Sequence, residues 1–264
     1  MNNRLTVLVG FLLSSSLCWA APSFTSIDQA SFDKISKEFS ANFMHHSVQG
    51  AAPLGNIFGF ELGILAGQTA TPDTKDIVAS SGGSDLDKIY HGGILAAVSV
   101  PLGISGELVY FPKTTASGVS LESTSLAAKL SLNTELLKMI PFNLALRAFY
   151  TDSKLSFDQQ VGAVSSTVTD TDKVTGFQLL LSPAMPVIEP YAGLGIVSAK
   201  NTLSTTGGSI FSSGLTTGSS FDGSYNSTQL LAGITARLVF VSLGLEYSNA
   251  FGASSYTAKL AASF

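Results

Sequence analysis

The chain has 264 residues, of which 45% are hydrophobic and only 12% are Asp, Glu, Lys or Arg, with a net charge of −4 and a mean hydropathy of +0.35. A soluble domain usually carries about 25% charged residues, yet beyond the first twenty residues no apolar run approaches the ~18 needed for a spanning helix. These figures exclude a helical membrane protein and a disordered chain, disfavour an ordinary soluble enzyme, and leave no basic footprint for nucleic acid.

Residues 1–20 read as a signal peptide. Arg4 supplies the positive start, Leu5 to Leu13 a short apolar core, and Cys18-Trp19-Ala20 a small-residue cleavage site after Ala20. Cys18 is the single cysteine, so the exported remainder is expected to hold no disulfide, thiolate metal site or cysteine nucleophile.

Residues 21–56 form a separate N-terminal segment. Phe32, Ile35, Phe39 and Phe43 recur at helical spacing, with charged residues between them, and Ser26 with Gln29 fits a capping box. The pattern predicts an amphipathic helix. It is expected either to cap the periplasmic mouth of whatever follows or to plug its interior with the Phe32, Ile35, Phe39, Phe43 stripe. His45 and His46 come next, ahead of the first strand, and are expected on the periplasmic side.

From residue 57 onward the period becomes two. Val241, Leu243, Leu245 and Tyr247 oppose Ser242, Gly244, Glu246 and Ser248, and Phe142, Leu144, Leu146, Ala148 and Tyr150 oppose Asn143, Ala145, Arg147, Phe149 and Thr151. Such alternation marks half-buried strands. Ten segments are predicted, near 57–66, 92–100, 103–111, 121–132, 142–151, 173–182, 188–198, 226–238, 241–248 and 254–264. The long Ser/Thr/Gly-rich connections (67–91, 152–172, 199–225) all fall on odd-numbered joints, and the even-numbered joints are compact. That parity, with an even strand count, predicts an all-β fold: a closed antiparallel transmembrane β-barrel of about ten strands (eight to twelve) over 57–264, with short turns on the periplasmic side and long loops outside.

The last strand, with Tyr256, Ala258, Leu260, Ala262 and a C-terminal Phe264 on one face, resembles the terminal strand of small Gram-negative outer-membrane β-barrels, and Pro190-Tyr191-Ala192-Gly193-Leu194-Gly195 is similar to a strand start in that class. The resemblance covers 57–264 and is generic to the class. It implies a porin-like cell-envelope protein in the outer membrane, in contact with lipid and lipopolysaccharide, with both termini periplasmic. It also implies that Tyr256, Leu260 and Phe264 act as the signal read by the barrel-assembly machinery. A monomer is expected.

If the apolar faces meet lipid, the opposite faces place Glu61, Glu107, Lys129, Arg147, Arg237, Glu246 and Lys259, with Gln178 and Gln229, in the lumen. Three acids against four bases point to a paired network filling a narrow barrel and away from a selective single-sign pore. The expected role is therefore structural or surface interaction through the external loops. The alternative is a narrow channel or transporter for small hydrophobic or polar solutes, gated by the helix. No cofactor or metal and no catalytic site is expected: His91, near Asp85 and Asp87, is the residual candidate for a hydrolase at the external rim, and Asp152, Asp158, Asp170 and Asp172 read as solvated loop acids with a weak leaning to calcium.

Overall fold

The computed structural model describes residues 28–55, 58–80, 86–116, 118–132, 141–161, 164–206 and 220–264. The predicted signal peptide lies outside them. The described chain opens with helix α1 (Gln29–Phe43), followed by β1 (Gly59–Ala70), a short helix α2 (Pro72–Ser80), β2 (Lys88–Val100), β3 (Ile104–Ala116), β4 (Val119–Leu132), β5 (Phe142–Val161), β6 (Val164–Pro183), β7 (Ile188–Thr206), β8 (Ser220–Leu238), β9 (Val241–Ala250) and β10 (Ala253–Ser263). The ten strands close in sequence order into one antiparallel barrel, β1 pairing with both β2 and β10. At the seam Ile64 faces Leu260, and the backbones of Phe60 and Phe264 exchange two hydrogen bonds of 2.9 Å. Closure gives every strand a partner on both sides through the apolar band, and toward the long-loop end β8 runs on past its pairing with β9, which begins at Leu230.

α1 starts at Gln29 and not at the expected box. Asp28 is the N-cap, its carboxylate accepting from the Ser31 amide at 2.8 Å, which holds its carboxyl below the usual range. An aspartate cap satisfies an orphan amide of the first turn as Ser26 was expected to.

Outward side chains form an apolar band. Leu62, Leu126, Phe177, Leu194, Ile196, Leu230 and Leu245 are each more than half exposed. Tyrosines bound the band toward the long-loop end, where the rings of Tyr247 and Tyr256 sit 5.2 Å apart, and phenylalanines bound it toward the short turns, where Phe240 and Phe264 sit 6.1 Å apart. Aromatic girdles of this kind mark the two interfaces of a spanning barrel.

Above the tyrosines the strands continue, and here the structure corrects the sequence reading. The stretches 152–172 and 199–225 were expected as loops, but β5 and β6 run as a ladder to Val161 and Val164, and β7 and β8 pair up to Ser204 and Ser220. The alternation persists with its polarity inverted. On β5 the outward face passes from Leu144, Leu146 and Tyr150 to Asp152, Lys154 and Asp158, while the inward face passes from Arg147 to Leu155 and Phe157, which are buried. Outside the apolar band a barrel must turn polar residues to water and can build an ordinary apolar core within. That core needs something to enclose, and α1 is what it encloses.

Candidate functional site: the lumen and its strap

α1 lies inside the long-loop half of the barrel. Phe32, Ile35, Phe39 and Phe43 are buried in one cluster with Val78 of α2, Val119, Leu121, Leu155, Phe157, Val168 and Leu203. The helix is thus at the end opposite to the expected periplasmic cap. Glu38 fastens it to α2: its carboxylate accepts from the backbone amides of Asp73 (2.8 Å) and Thr74 (2.9 Å) and from the Thr74 hydroxyl (2.6 Å). Pro72 opens α2, where a proline costs no hydrogen bond, and Glu38 serves as its cap from another element. Burial raises the Glu38 carboxyl above its ordinary range against these bonds.

From Met44 the chain leaves the helix and descends the lumen as an extended strap. Its backbone has no ladder, so its polar groups need partners from the wall. They find them residue by residue: the carbonyl of Gln49 accepts from Arg147 Nη2 (2.8 Å), Gly50 from Lys129 Nζ (3.0 Å), Ala51 from Ser131 Oγ (2.8 Å), Ala52 from Lys129 Nζ (3.3 Å) and Pro53 from Arg237 Nη1 (3.4 Å). The Ala52 amide donates to Glu189 Oε1 at 2.9 Å. Five consecutive carbonyls are held by four wall side chains.

The nine predicted lumen residues all face inward, and the strap rearranges their pairing. Glu61 pairs with Lys259 at 2.8 Å and also accepts from Gln49 Nε2 at 3.1 Å. Glu107 lies 3.4 Å from Arg147 and 4.0 Å from Lys129. Gln178 bridges Arg147 (3.0 Å) and Gln229 (2.8 Å). Arg237 pairs with Glu189 at 3.0 Å, an acid absent from the predicted set. Glu246 accepts from the Tyr191 hydroxyl at 2.8 Å and lies 3.9 Å from His46. Lys129, Arg147 and Arg237 therefore divide their donors between wall acids and strap carbonyls. On the outer surface of β10, Tyr256, Leu260 and Phe264 are exposed.

The three histidines depart from their expected places. His45 is buried in the lumen, Nδ1 2.8 Å from Ser125 Oγ and Nε2 2.9 Å from Glu107. His46 stacks on His91 with centroids 4.3 Å apart and planes 9° apart. His91 is not at the rim: its ring nitrogens meet Asn42 (3.0 Å) and Thr257 (2.8 Å). The rim arrangement of a histidine beside Asp87 is therefore not formed, because His91 faces inward on β2. Asp85 lies outside the described residues. Beside His46 and His91 the packing leaves a cavity of about 30 Å³, room for a water or two.

The four acids expected to meet in loops are separated by the strand period. Asp152 and Asp158 point outward, accepting from Tyr150 and Thr167, while Asp170 and Asp172 are buried inside, with Asp172 in register with Asn201. Asp170 Oδ1 lacks a hydrogen-bond partner, and Asp172 lies beside Ser40 and Asn201.

A sequence family described as a family of unknown function (DUF6588) matches residues 19–263. No curated protein sequence matches the chain. Among solved structures it is similar to the translocator domain of the autotransporter NalP from Neisseria meningitidis (TM-score 0.51, 11% identity, covering 80% of this chain and 89% of that one). Outer membrane protease OmpT from Escherichia coli aligns at TM-score 0.37, 10% identity, 82% and 98% coverage. Ail, the attachment invasion locus protein of Yersinia pestis, aligns at 0.29, 12%, 78% and 97%. At these identities the NalP likeness is one of fold.

Proposed function

We propose, from the premise that this chain belongs to the DUF6588 family of unknown function, that it is an integral outer-membrane β-barrel whose lumen is sealed by its own N-terminal segment and whose polar hairpins serve a structural or surface-interaction role. The closed barrel, its apolar band and its aromatic girdles support residence in a bilayer. The sorting of long and short connections supports residence in an outer membrane with the long loops outside.

The observation that carries the sealed reading is the row of five strap carbonyls, Gln49 to Pro53, bonded to the wall. A strap held this way occupies the short-turn half of the lumen, and α1 occupies the other half. Proteoliposome swelling tests it. The intact protein should leave small sugars excluded, and a chain lacking residues 29–50 should admit them. Sugar uptake by the intact protein at the rate of the deletion would favour the solute-channel alternative.

A further inference from the structure

We infer that α1 begins at the long-loop mouth of the barrel, so that this protein threads its N-terminal segment through the lumen and displays the start of α1 on the outer face of the membrane. Which end is outside rests on the proposed outer-membrane orientation. The direction of threading is a property of the described residues alone.

That direction can be followed down one strand. β8 descends from the long-loop end at Ser220 to the short turn at Leu238. Gln29 Nε2 donates to the Asp222 carbonyl at 3.4 Å, Tyr225 donates to Asp33 at 2.8 Å, Gln229 Nε2 reaches Met44 Sδ at 3.5 Å, and Arg237 reaches the Pro53 carbonyl at 3.4 Å. The N-terminal segment and β8 thus advance together. The lengths agree: a helix of α1's 15 residues spans ~22 Å, and an extended strap to Pro53 adds ~30 Å, against ~50 Å of strand from Asp222 to Arg237.

The chain then turns near Pro53 and climbs again as β1. The first described residues therefore lie at the end of the barrel opposite to Phe264. Asp28, Gln29 and Ala30 are exposed at that far end. At the level just below them the lumen is filled by Phe32 and the cluster around it, so a return path through the interior is closed. A strap and helix enclosed by a closed barrel have to be inside when β1 and β10 join. Assembly of the barrel therefore moves the start of α1 across the membrane. The fold supplies a self-translocating scaffold, in which Asp28, Gln29 and Ala30 are delivered to the surface.

Single-cysteine labelling of intact cells with a membrane-impermeant maleimide tests this, in a Cys18→Ser background that leaves no other thiol. Three exposed positions are compared: Ala30→Cys at the start of α1, Thr206→Cys at the long-loop end of β7, and Met185→Cys in the short turn after β6. Heat-modifiable migration on gels verifies that each variant is folded, with Gln29→Cys as the replacement should Ala30→Cys fail to assemble. The expected result is that Ala30→Cys and Thr206→Cys label in intact cells with no gain on permeabilisation, while Met185→Cys labels only after it. Labelling of Thr206→Cys with Ala30→Cys protected until permeabilisation would overturn the threading inference and leave the orientation standing. Labelling of Met185→Cys alone in intact cells would overturn the orientation, and with it the surface display.

Discussion

Arg147 Nη2 donates a 2.8 Å hydrogen bond to the carbonyl oxygen of Gln49, while Arg147 Nε lies 3.4 Å from Glu107. One guanidinium thus joins the barrel wall to the strap and to the buried acid that also holds His45. Arg147→Ala leaves Glu107 short of its main counter-charge and the carbonyl bare, a loss of about 3–5 kcal/mol. Arg147→Lys keeps the charge without the planar fork and should lose less. The temperature at which the folded gel band converts to the unfolded one orders the three proteins: wild type highest, then Lys, then Ala. Equal values for Ala and wild type would remove Arg147 from the account.

The strap also depends on a close approach. A side chain at Gly50 would run into Glu189 Oε1, which is itself fixed by Ser182 and the Ala52 amide. Gly50→Leu should therefore expel the lower strap and raise small-sugar permeability in proteoliposomes, where Gly106→Ala, whose added methyl would meet only Val98 at 3.9 Å, changes nothing of the kind. Unchanged permeability in Gly50→Leu would contradict the placement of the strap.

Glu38 couples the plug helix to the outer loop helix. Glu38→Ala exposes two amides at the start of α2 and removes three hydrogen bonds, a loss of about 1–3 kcal/mol in docking that faster proteolysis within 72–80 would register. The pH dependence has a definite sign. Burial raises the Glu38 carboxyl in the folded state, so the folded state binds the proton more tightly than the unfolded one. Docking is then strongest below the ordinary carboxylate range and weakens as pH rises through the raised value. Protection of α2 should fall between mildly acidic and neutral pH in the wild type and stay flat in Glu38→Gln. A rise with pH would reverse the assignment.

Asp170 and Asp172 are buried two residues apart on one inward face, and Asp170 Oδ1 meets no donor. Neutral amides remove the cost of enclosing such charges, so Asp170→Asn and Asp172→Asn should each raise the gel-conversion temperature, by about 1–3 kcal/mol in stability. A fall of similar size would mean that the charges are needed.

Much of the barrel was legible in the sequence because lipid and lumen impose opposite demands on alternate residues. Leu144 and Leu146 against Ala145 and Arg147 can be read in no other way once the period is seen, and the parity of the connections then gives closure and strand count. The extended hairpins were hidden because Asp152, Lys154 and Asp158 look like loop residues. The missed signal was Leu155 and Phe157 between them, the same period with its polarity exchanged. Glu189 carried a similar signal, an acid in phase with Tyr191 on the face opposite Leu194 and Ile196. The strap was not legible. His45 to Pro53 has no period, since its backbone is satisfied by side chains from β4, β5, β7 and β8 that are distant in sequence. His45 and His46 reach their partners only through that threading, and His91 meets Asn42 by it as well as Thr257 on the wall, so residue type alone placed them wrongly.

The sealing of the lumen proposed for the N-terminal helix and strap is tested most directly by single-channel recording of the intact protein in planar bilayers. The structure predicts a silent membrane under low voltage, with openings appearing when residues 29–50 are deleted. Defined, reproducible openings of the intact protein would contradict it.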